Sequence, residues 1–239
     1  MKDRLRKLVG ARLYDRARSS YGRIRMGIVG GRRRLAEALG CFRFSKVGLC
    51  GLDDKLAPYL NFRNGVFIEA GANDGVSQSN TYYLAKALGW HGVLVEAVPR
   101  LFRKCRKSRP DSKIFNCALV APENEGAKVT IRDVGEQGLL SKIAECEENA
   151  SDAIVATEGR TLTSVLAEAG LTRVDFFSLD VEGYELDVLR GLDLSRFQPR
   201  FILVETGQAE VIDGYLSTHY ERLAQLSYHD YLYRAKDAH

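Results

Sequence analysis

The chain has 239 residues, 45% of them hydrophobic, and a formal net charge of +4 at pH 7. This length and composition suffice for one globular domain with a substantial core. No stretch approaches the ~20 consecutive apolar residues of a transmembrane helix, and the sequence contains no internal repeat, which excludes a membrane-spanning or repeat protein.

The positive charge is concentrated at the start of the chain. Residues 1–46 hold 14 Lys and Arg against three acidic residues, whereas the remainder holds 21 against 28. Basic and apolar residues interleave between Arg4 and Arg25, which predicts a basic amphipathic helix for an anionic membrane surface, or else a solvated, frayed helix. We therefore divide the chain into a basic, helical extension (residues 1–46) and a main domain (residues 47–239).

Two other interpretations of this extension are disfavoured. Its longest apolar run, residues 26–29, is far shorter than the ~7–15 residues of a signal-peptide core. It has no aromatic stacking motif or zinc-ligand spacing, so no specific nucleic acid is expected as a partner. The five cysteines of the chain are scattered without a C-x-x-C pair. This pattern favours reduced thiols and a cytoplasmic location, peripheral to the inner face of the membrane if the extension binds lipid.

The first strongly patterned segment is VFIEAGANDG, residues 66–75. Its apolar start predicts a buried parallel strand that ends at Glu69. Gly71 and Gly75 allow a tight turn and a close approach of the backbone to a ligand. The spacing E-x-G-x-x-x-G differs from the G-x-G-x-x-G of dinucleotide sites, so NAD is disfavoured. Taken alone, the segment is equally typical of a plain structural loop.

A second predicted strand, GVLVE (residues 92–96), ends in Glu96, 21 residues beyond Gly75. This distance suits one strand–helix–strand unit of a doubly wound sheet. An acid at the end of the second strand of such a sheet accepts hydrogen bonds from ribose hydroxyls. Between the strands, residues 79–81 predict the cap of a helix that ends at Gly89.

Three further core strands are predicted, at residues 113–120 (KIFNCALV), 174–179 (VDFFSL) and 201–205 (FILVE). Strands that alternate with helical segments predict a doubly wound, mostly parallel α/β sheet. The polar segment 123–161 is interpreted as an insertion between the third and fourth core strands. Within it, residues 127–132 and 138–143 are predicted to pair as a hairpin.

The most specific motif is DVEGYELDVLRG, residues 180–191. Together with TLTSVL and VDFFSL before it and PRFILVET after it, this motif resembles the signature of the FkbM family of methyltransferases. GVSQSNTYYL, GWHGVLVE and SYHDYLYR resemble a bacterial branch of that family, and the similarity extends from Gly51 to about Arg234. The segment 66–75 also resembles the first motif of class I S-adenosylmethionine methyltransferases.

The resemblance implies a class I, Rossmann-like enzyme that uses S-adenosyl-L-methionine to methylate a hydroxyl of a carbohydrate or a related glycan or lipid-linked metabolite. On this interpretation the cofactor-binding residues are Glu69, Gly71, Asn73, Asp74, Gly75 and Glu96. Two alternatives stay open: a membrane-peripheral binding module on a degenerate methyltransferase scaffold, and a nucleotide-dependent oxidoreductase. The sequence does not indicate the acceptor or the oligomeric state.

Acidic residues end four of the predicted strands. With the strand order 3-2-1-4-5, Glu96, Glu69, Asp180 and Glu205 would stand in that sequence along one edge, ~4.8 Å apart between neighbours. Such carboxylates repel one another unless a sulfonium cofactor or a divalent metal supplies positive charge. Asp180 and Glu205 are therefore predicted to hold Mg²⁺. Alternatively, Asp180 contacts only the amino group of the cofactor and Glu205 only ends a strand.

Methyl transfer to a hydroxyl also requires a group that takes up the hydroxyl proton. The candidate catalytic residues are Asp180, Glu182 and His229. Glu182 alternatively caps the helix that begins near Tyr184, where a negative charge is favourable. His229, which lies beside Asp230, is alternatively structural.

Overall fold

The computed structural model describes residues 29–133, 142–143 and 153–236. The chain divides into two units, Met1–Ser45 and Lys46–His239. The described part of the first unit contains helix at residues 29–38 and a 3-10 turn, Arg43–Ser45. The helix predicted between Arg4 and Arg25 lies outside the described residues.

The second unit contains the predicted strands and helices. Its described strands are β1 (Val66–Ala70), β2 (His91–Val95), β3 (Lys113–Phe115), β4 (Ala118–Leu119), β5 (Lys128–Asp133), β6 (Lys142–Ile143), β7 (Ala153–Arg160), β8 (Phe176–Leu179), β9 (Phe201–Glu205), β10 (Tyr220–Gln225) and β11 (Asp230–Ala235). Its described α-helices are α1 (Leu52–Leu60), α2 (Tyr82–Leu88), α3 (Pro99–Ser108), α4 (Leu162–Ala169), α5 (Glu185–Arg190) and α6 (Ala209–Leu216). Within the described residues, no helix is both long enough and apolar enough to cross a bilayer.

Seven strands form the central sheet in the order β3-β2-β1-β8-β9-β11-β10. The first five of these are parallel, and β11 pairs antiparallel with both β9 and β10. The five predicted core strands therefore stand in the expected order 3-2-1-4-5. Because their carboxyl ends share one edge, the residues that follow them are brought together there.

Helices cover both faces of this sheet, as the side-chain alternation of β1 shows. Ile68 packs in a buried cluster with Leu166 of α4 and Ile212 of α6. Its neighbour Phe67 packs in another cluster with Leu56 of α1. Successive strand residues point to opposite faces, so a strand buried on both faces is mainly apolar, and a polar side chain within it needs hydrogen-bond partners. The doubly wound, mostly parallel fold predicted from the sequence is thus confirmed.

Two strand boundaries differ from the predicted ones. Strand β1 continues through Glu69 to Ala70, so the carboxylate of Glu69 lies inside the strand and not at its end. The predicted strand 113–120 is divided into β3 and β4 at Asn116. The side-chain amide of Asn116 donates hydrogen bonds to the backbone carbonyls of Glu96 (2.8 Å) and Ala97 (3.0 Å). These bonds hold the chain where it leaves the main sheet.

Strand β4 joins a second, four-stranded sheet of order β4-β7-β5-β6. In it, Ile131 of β5 pairs with Ile143 of β6 in antiparallel register. The predicted pairing of residues 127–132 with 138–143 is observed at these strand ends, while residues 138–141 lie outside the described residues. β5 also pairs along its whole length with β7. Strands β5, β6 and β7 of the insertion therefore form, together with β4, a sheet that is separate from the main one.

Candidate active site

The loop that follows β1 is organised around the carboxylate of Glu69, which is 5% exposed. Its Oε2 accepts hydrogen bonds from the hydroxyls of Ser79 (2.9 Å) and Thr81 (2.6 Å). Its Oε1 accepts one from the backbone N–H of Asn80 (3.0 Å). Both oxygens are thus engaged by the protein. The structure gives Glu69 a role in shaping the loop, and because Glu69 also lines the cavity, its predicted contact with the cofactor stays a prediction.

A buried arginine completes this network. Arg109 follows α3 and is 2% exposed. Its Nη1 donates to the carbonyl oxygen of Gly75 (3.2 Å) and to Oγ of Ser79 (3.3 Å), and its Nη2 donates to Oγ1 of Thr81 (3.1 Å). Nη1 also lies 3.9 Å from Oε2 of Glu69. Burial lowers the pKa of Arg109, and the charge of Glu69 opposes this effect.

The two glycines of the loop are required by protein packing. Gly71 has a φ of 82°, and a Cβ atom there would lie 1.8 Å from the carbonyl oxygen of Asp180. Gly75 has a φ of 80°, and its Cβ would lie 2.9 Å from Cγ of Arg109 and from Sγ of Cys105. The left-handed conformation and the lack of space both favour glycine. The close approach predicted toward a ligand is, at these Cβ positions, an approach to the protein itself.

The second predicted acid, Glu96, follows β2 and is 6% exposed. Its Oε2 accepts a hydrogen bond from the backbone N–H of Asn73 (2.7 Å), and its Oε1 accepts one from the backbone N–H of Val98 (2.8 Å). Burial raises the pKa of Glu96 to about 7, and these two hydrogen bonds oppose the rise. Asp74 has a local role, because its Oδ1 accepts the backbone N–H of Ser77 (2.7 Å).

A cavity of about 470 Å³ opens at the carboxyl edge of the main sheet. The predicted site residues in its wall are Glu69, Gly71, Asn73, Glu96, Asp180, Glu182, Glu205 and His229. Asp74 and Gly75 lie outside the wall. The apolar part of the wall includes Ala72, Val98, Leu101, Leu119 and Ile131. Among the residues that the structure describes, no Lys or Arg lines the cavity, so its ionisable side chains are acidic apart from His229, and apolar and neutral polar side chains make up the remainder.

The sequence interpretation missed Asn80 and Ser178 as wall residues. The side-chain amide of Asn80 donates to Oγ of Ser178 (3.1 Å). Oδ1 of Asn80 is buried and has no hydrogen-bond partner in the described part of the chain. The available signal was the S-N-T sequence, which predicts a helix cap. The N-cap residue of α2 is Thr81, which makes no side-chain cap bond, while Oγ of Ser79 accepts the N–H of Tyr82, the first residue of the helix (3.0 Å).

Three carboxyl groups stand side by side on neighbouring strands. Leu179 of β8 pairs with Val204 of β9, so Asp180 is level with Glu205. Glu205 in turn pairs with Asp230 of β11. Residues at one level of a sheet point to the same face about 5 Å apart. The structure therefore brings Asp180 and Glu205 together as predicted, and adds Asp230 to the row.

This crowding shifts the titration of two of the groups. Burial raises the pKa of Asp180 to about 8, and the charges of Glu205 and Glu182 add to the rise. Burial also raises the pKa of Glu205, while His229 opposes that effect. The two carboxyls lie close enough for the charge of Glu205 to disfavour the ionisation of Asp180.

His229 lies at the same edge, immediately before β11. Its Nε2 is 3.4 Å from Oε1 of Glu205 and 3.7 Å from Oδ2 of Asp230. The ring of Tyr228 lies 3.7 Å from the His229 ring, centroid to centroid, and Tyr228 is 79% exposed. The structure thus places His229 beside Glu205 and Asp230.

Glu182 belongs to the turn that leads into α5. It has a φ of 59°, and the following Gly183 has a φ of 104°. The helix begins at Glu185, whose Oε1 accepts the backbone N–H of Gly183 (2.7 Å). The carboxylate that binds a backbone N–H at the start of α5 is therefore that of Glu185. Glu182 lies in the cavity wall.

Comparisons with known proteins agree on one enzyme class. A family model described as the methyltransferase FkbM domain matches residues 69–234. The protein 2-O-methyltransferase NoeI of Sinorhizobium fredii is 25% identical over 164 residues, which cover 63% of this chain and 67% of that protein.

Solved structures give weaker likenesses. A crystal structure of methyltransferase FkbM from Methylobacillus flagellatus is 15% identical, with a TM-score of 0.45, over 72% of this chain and 43% of that one. This chain therefore spans less than half the length of that protein. TrmK of M. capricolum, solved in complex with S-adenosyl-homocysteine, is 8% identical with a TM-score of 0.40, over 77% of this chain and 68% of that one.

Proposed function

The chain belongs to the FkbM family of methyltransferases, and on that premise we propose that it transfers a methyl group from S-adenosyl-L-methionine to a hydroxyl oxygen of a carbohydrate or a related glycan or lipid-linked metabolite. The observation that carries this proposal is the acidic cavity at the carboxyl edge of the sheet, whose described lining contains no Lys or Arg. A negative, partly apolar cavity favours a cationic ligand with an apolar part.

The cofactor fits the residues that line the cavity. S-Adenosyl-L-methionine supplies, when bound, an electrophilic methyl group on a positively charged sulfur. Glu96 is placed to accept hydrogen bonds from ribose hydroxyls, since it follows the second strand of the sheet. Val98 and Leu101 offer apolar surface for the base. A hydrogen-bond donor on the ligand, such as its amino group, would satisfy the buried Oδ1 of Asn80, which otherwise has no partner in the described part of the chain.

Asp180 is placed to take the proton of the acceptor hydroxyl. It lines the cavity, retains partial exposure to solvent, and follows β8 directly beside Gly71 of the cofactor loop. A general base must be a proton acceptor within reach of the reacting hydroxyl, and the Asp180 carboxylate, in its ionised form, is such an acceptor in the cavity wall. With the cofactor bound to supply the methyl group, the ionised Asp180 carboxylate would take up the proton that the acceptor hydroxyl loses on methylation.

The charge of the cavity also limits the acceptor. Five carboxylate side chains line it, namely Glu69, Glu96, Asp180, Glu182 and Glu205. An anionic group beside the reacting hydroxyl would be repelled, so a neutral polyol surface is favoured. NoeI is described as a 2-O-methyltransferase, which supports transfer to oxygen. The exposed ring of Tyr228 offers a flat apolar face against which a sugar ring can pack.

Radiolabelled methyl transfer to a panel of neutral and phosphorylated oligosaccharides tests this proposal. We expect label on neutral acceptors and at least ~100-fold less transfer by Asp180→Asn, because a positioned base typically contributes 10²–10⁴-fold. Glu210→Gln is the matched control, since Glu210 is exposed on α6. Transfer that is confined to nitrogen acceptors, or that is unchanged in Asp180→Asn, would contradict the assignment.

A further inference from the structure

We propose that Glu205, His229 and Asp230 form a binding site for one divalent first-row transition cation of the Mn²⁺, Fe²⁺ and Zn²⁺ class. Each residue offers one donor atom, and the three atoms lie within 4.8 Å of one another. The site differs from the Mg²⁺ site predicted from the sequence, because His229 and Asp230 replace Asp180. Cation binding itself does not depend on the proposed methyl transfer, whereas its use in catalysis rests on that function.

The donor separations suit one shared ion. Nε2 of His229 lies 3.4 Å from Oε1 of Glu205 and 3.7 Å from Oδ2 of Asp230. For donors ~2.1 Å from an ion, these separations correspond to donor–ion–donor angles of roughly 110° and 120°. Such angles leave at least one position for a further ligand. Glu205 and His229 both line the cavity, whereas Asp230 does not.

Asp230 supplies an independent indication that a cation belongs here. Its side chain is 2% exposed, and its Oδ2 accepts the hydroxyl of Ser227. Oδ1 of the same carboxylate is buried and has no hydrogen-bond partner in the described chain. A buried carboxylate oxygen without a partner is costly. The oxygen that faces His229 is Oδ2, so a cation would remove that cost only if the carboxylate bound it through both oxygens.

Within the described residues, no Lys or Arg makes an ion pair with Glu205 or Asp230. The basic side chain beside both carboxylates is His229. The Asp230 position is fixed by its register opposite Glu205, and the Ser227 hydroxyl orients its carboxylate. Donors held in this way by neighbouring groups are typical of metal sites.

The donor set selects the class of cation. Mg²⁺ and Ca²⁺ prefer oxygen ligands alone. Imidazole nitrogen combined with carboxylate oxygen suits manganese, iron or zinc. A cation on the cavity side of His229 would be placed to polarise the acceptor hydroxyl, whose proton would pass to the neighbouring Asp180.

Electron paramagnetic resonance of Mn²⁺ titrated into the chelator-treated, full-length protein tests the site without any assay of activity. We expect one bound Mn²⁺ per chain. Asp230→Asn and His229→Gln should each weaken binding roughly tenfold or more. Glu210→Gln, which removes an exposed acid outside the cluster, should bind Mn²⁺ as the wild type does.

Thermal unfolding of each variant in chelator shows whether it folds, and Glu205→Gln provides a third, independent ligand variant. The absence of stoichiometric Mn²⁺ binding by the wild type would overturn the proposal. So would Mn²⁺ binding that persists at wild-type affinity in all three folded variants. Calorimetry with S-adenosyl-homocysteine in chelator separates the two questions. If the protein binds S-adenosyl-homocysteine but not Mn²⁺, the proposed function stands and the metal site is wrong. If it binds Mn²⁺ but not S-adenosyl-homocysteine, the metal site stands and the proposed function is wrong.

Discussion

Arg109 binds three residues of the loop that follows β1. Its guanidinium joins Gly75, Ser79 and Thr81, and it lies beside the buried carboxylate of Glu69. Removing one partner of a buried ion pair leaves the other charge uncompensated, at a cost of about 3–5 kcal/mol. We therefore expect Arg109→Met to lower the free energy of unfolding by about that amount in urea denaturation.

The control is Arg103→Met, which removes an exposed arginine from the same helix. It should change the free energy of unfolding by less than about 0.5 kcal/mol. The double variant Arg109→Met with Glu69→Gln should recover part of the loss, because no charge is then left unpaired. A loss in Arg109→Met no larger than in the control would show that the network does not hold the loop.

Glu96 gives the protein a pH dependence with a definite sign. Its pKa rises from 4.5 to about 7 on folding, mainly because it is buried. Between these pH values Glu96 holds a proton in the folded chain but has released it in the unfolded chain. The contribution of Glu96 to the free energy of unfolding is therefore fully present below about pH 4.5 and is lost as the pH rises to about 7. The fall is at most about 3 kcal/mol.

Urea denaturation across this pH range, with wild type and Glu96→Gln in parallel, measures the effect. The glutamine cannot ionise, so this variant should lack that part of the slope. Identical slopes in the two proteins would show that Glu96 does not titrate as its burial implies.

At the scale of elements, the loop after β1 packs against the end of β8. The Cβ of an alanine at position 71 would lie 1.8 Å from the Asp180 carbonyl oxygen. Gly170, at the end of α4, has a similar φ of 66° but nothing within 4 Å of its Cβ position. Comparing the two alanine variants therefore separates left-handed strain from steric collision.

We expect Gly170→Ala to cost about 1–2 kcal/mol of unfolding free energy through backbone strain alone. Gly71→Ala should cost at least ~2 kcal/mol more, because β8 or the loop must also move. Thermal or urea unfolding measures both variants. Equal losses would mean that the loop and the end of β8 are not in close contact.

Several elements could be predicted from the sequence because their signal is local. β1, β2 and β9 are largely buried, so each contains at least three consecutive apolar residues, and the acid that follows these residues is visible in the sequence. The split of residues 113–120 could not be predicted in this way. It depends on hydrogen bonds from Asn116 to carbonyls about 20 residues earlier in the chain.

The candidate site was predicted in part for the same reason. Asp180, Glu205 and His229 lie near recognisable strand ends. Asp230 acquires its place only through the antiparallel register of β11 with β9. Arg109 reaches Glu69 from a distant helix, and no local pattern distinguishes it from the exposed basic residues of α3. Contacts between distant segments are thus what the sequence leaves undetermined.

At the scale of the whole molecule, charge is divided between the start of the chain and the rest. Residues 1–46 hold 14 Lys and Arg against three acidic residues. We propose that residues 1–28, which lie outside the described residues, attract anionic membrane surfaces. Each basic residue near such a surface is worth about 1 kcal/mol, and salt screens the attraction.

Sedimentation with phosphatidylserine vesicles tests this proposal. Removal of residues 1–28 should reduce vesicle binding strongly at low salt and leave the affinity for S-adenosyl-homocysteine unchanged. Vesicles of neutral lipid are the control. Equal binding of the full and shortened chains to anionic vesicles would remove the membrane surface as a partner.

The most direct test of the central claim is calorimetry with S-adenosyl-homocysteine. We expect the wild-type protein to bind this ligand and not NAD. Glu96→Ala should weaken binding roughly tenfold or more, since a hydrogen bond to a charged group is worth about 1.5–3 kcal/mol. Glu210→Ala, which removes an exposed acid from α6, should bind as the wild type does. No binding by the wild type, or equal affinity in the Glu96→Ala and Glu210→Ala variants, would contradict a cofactor site at this edge of the sheet.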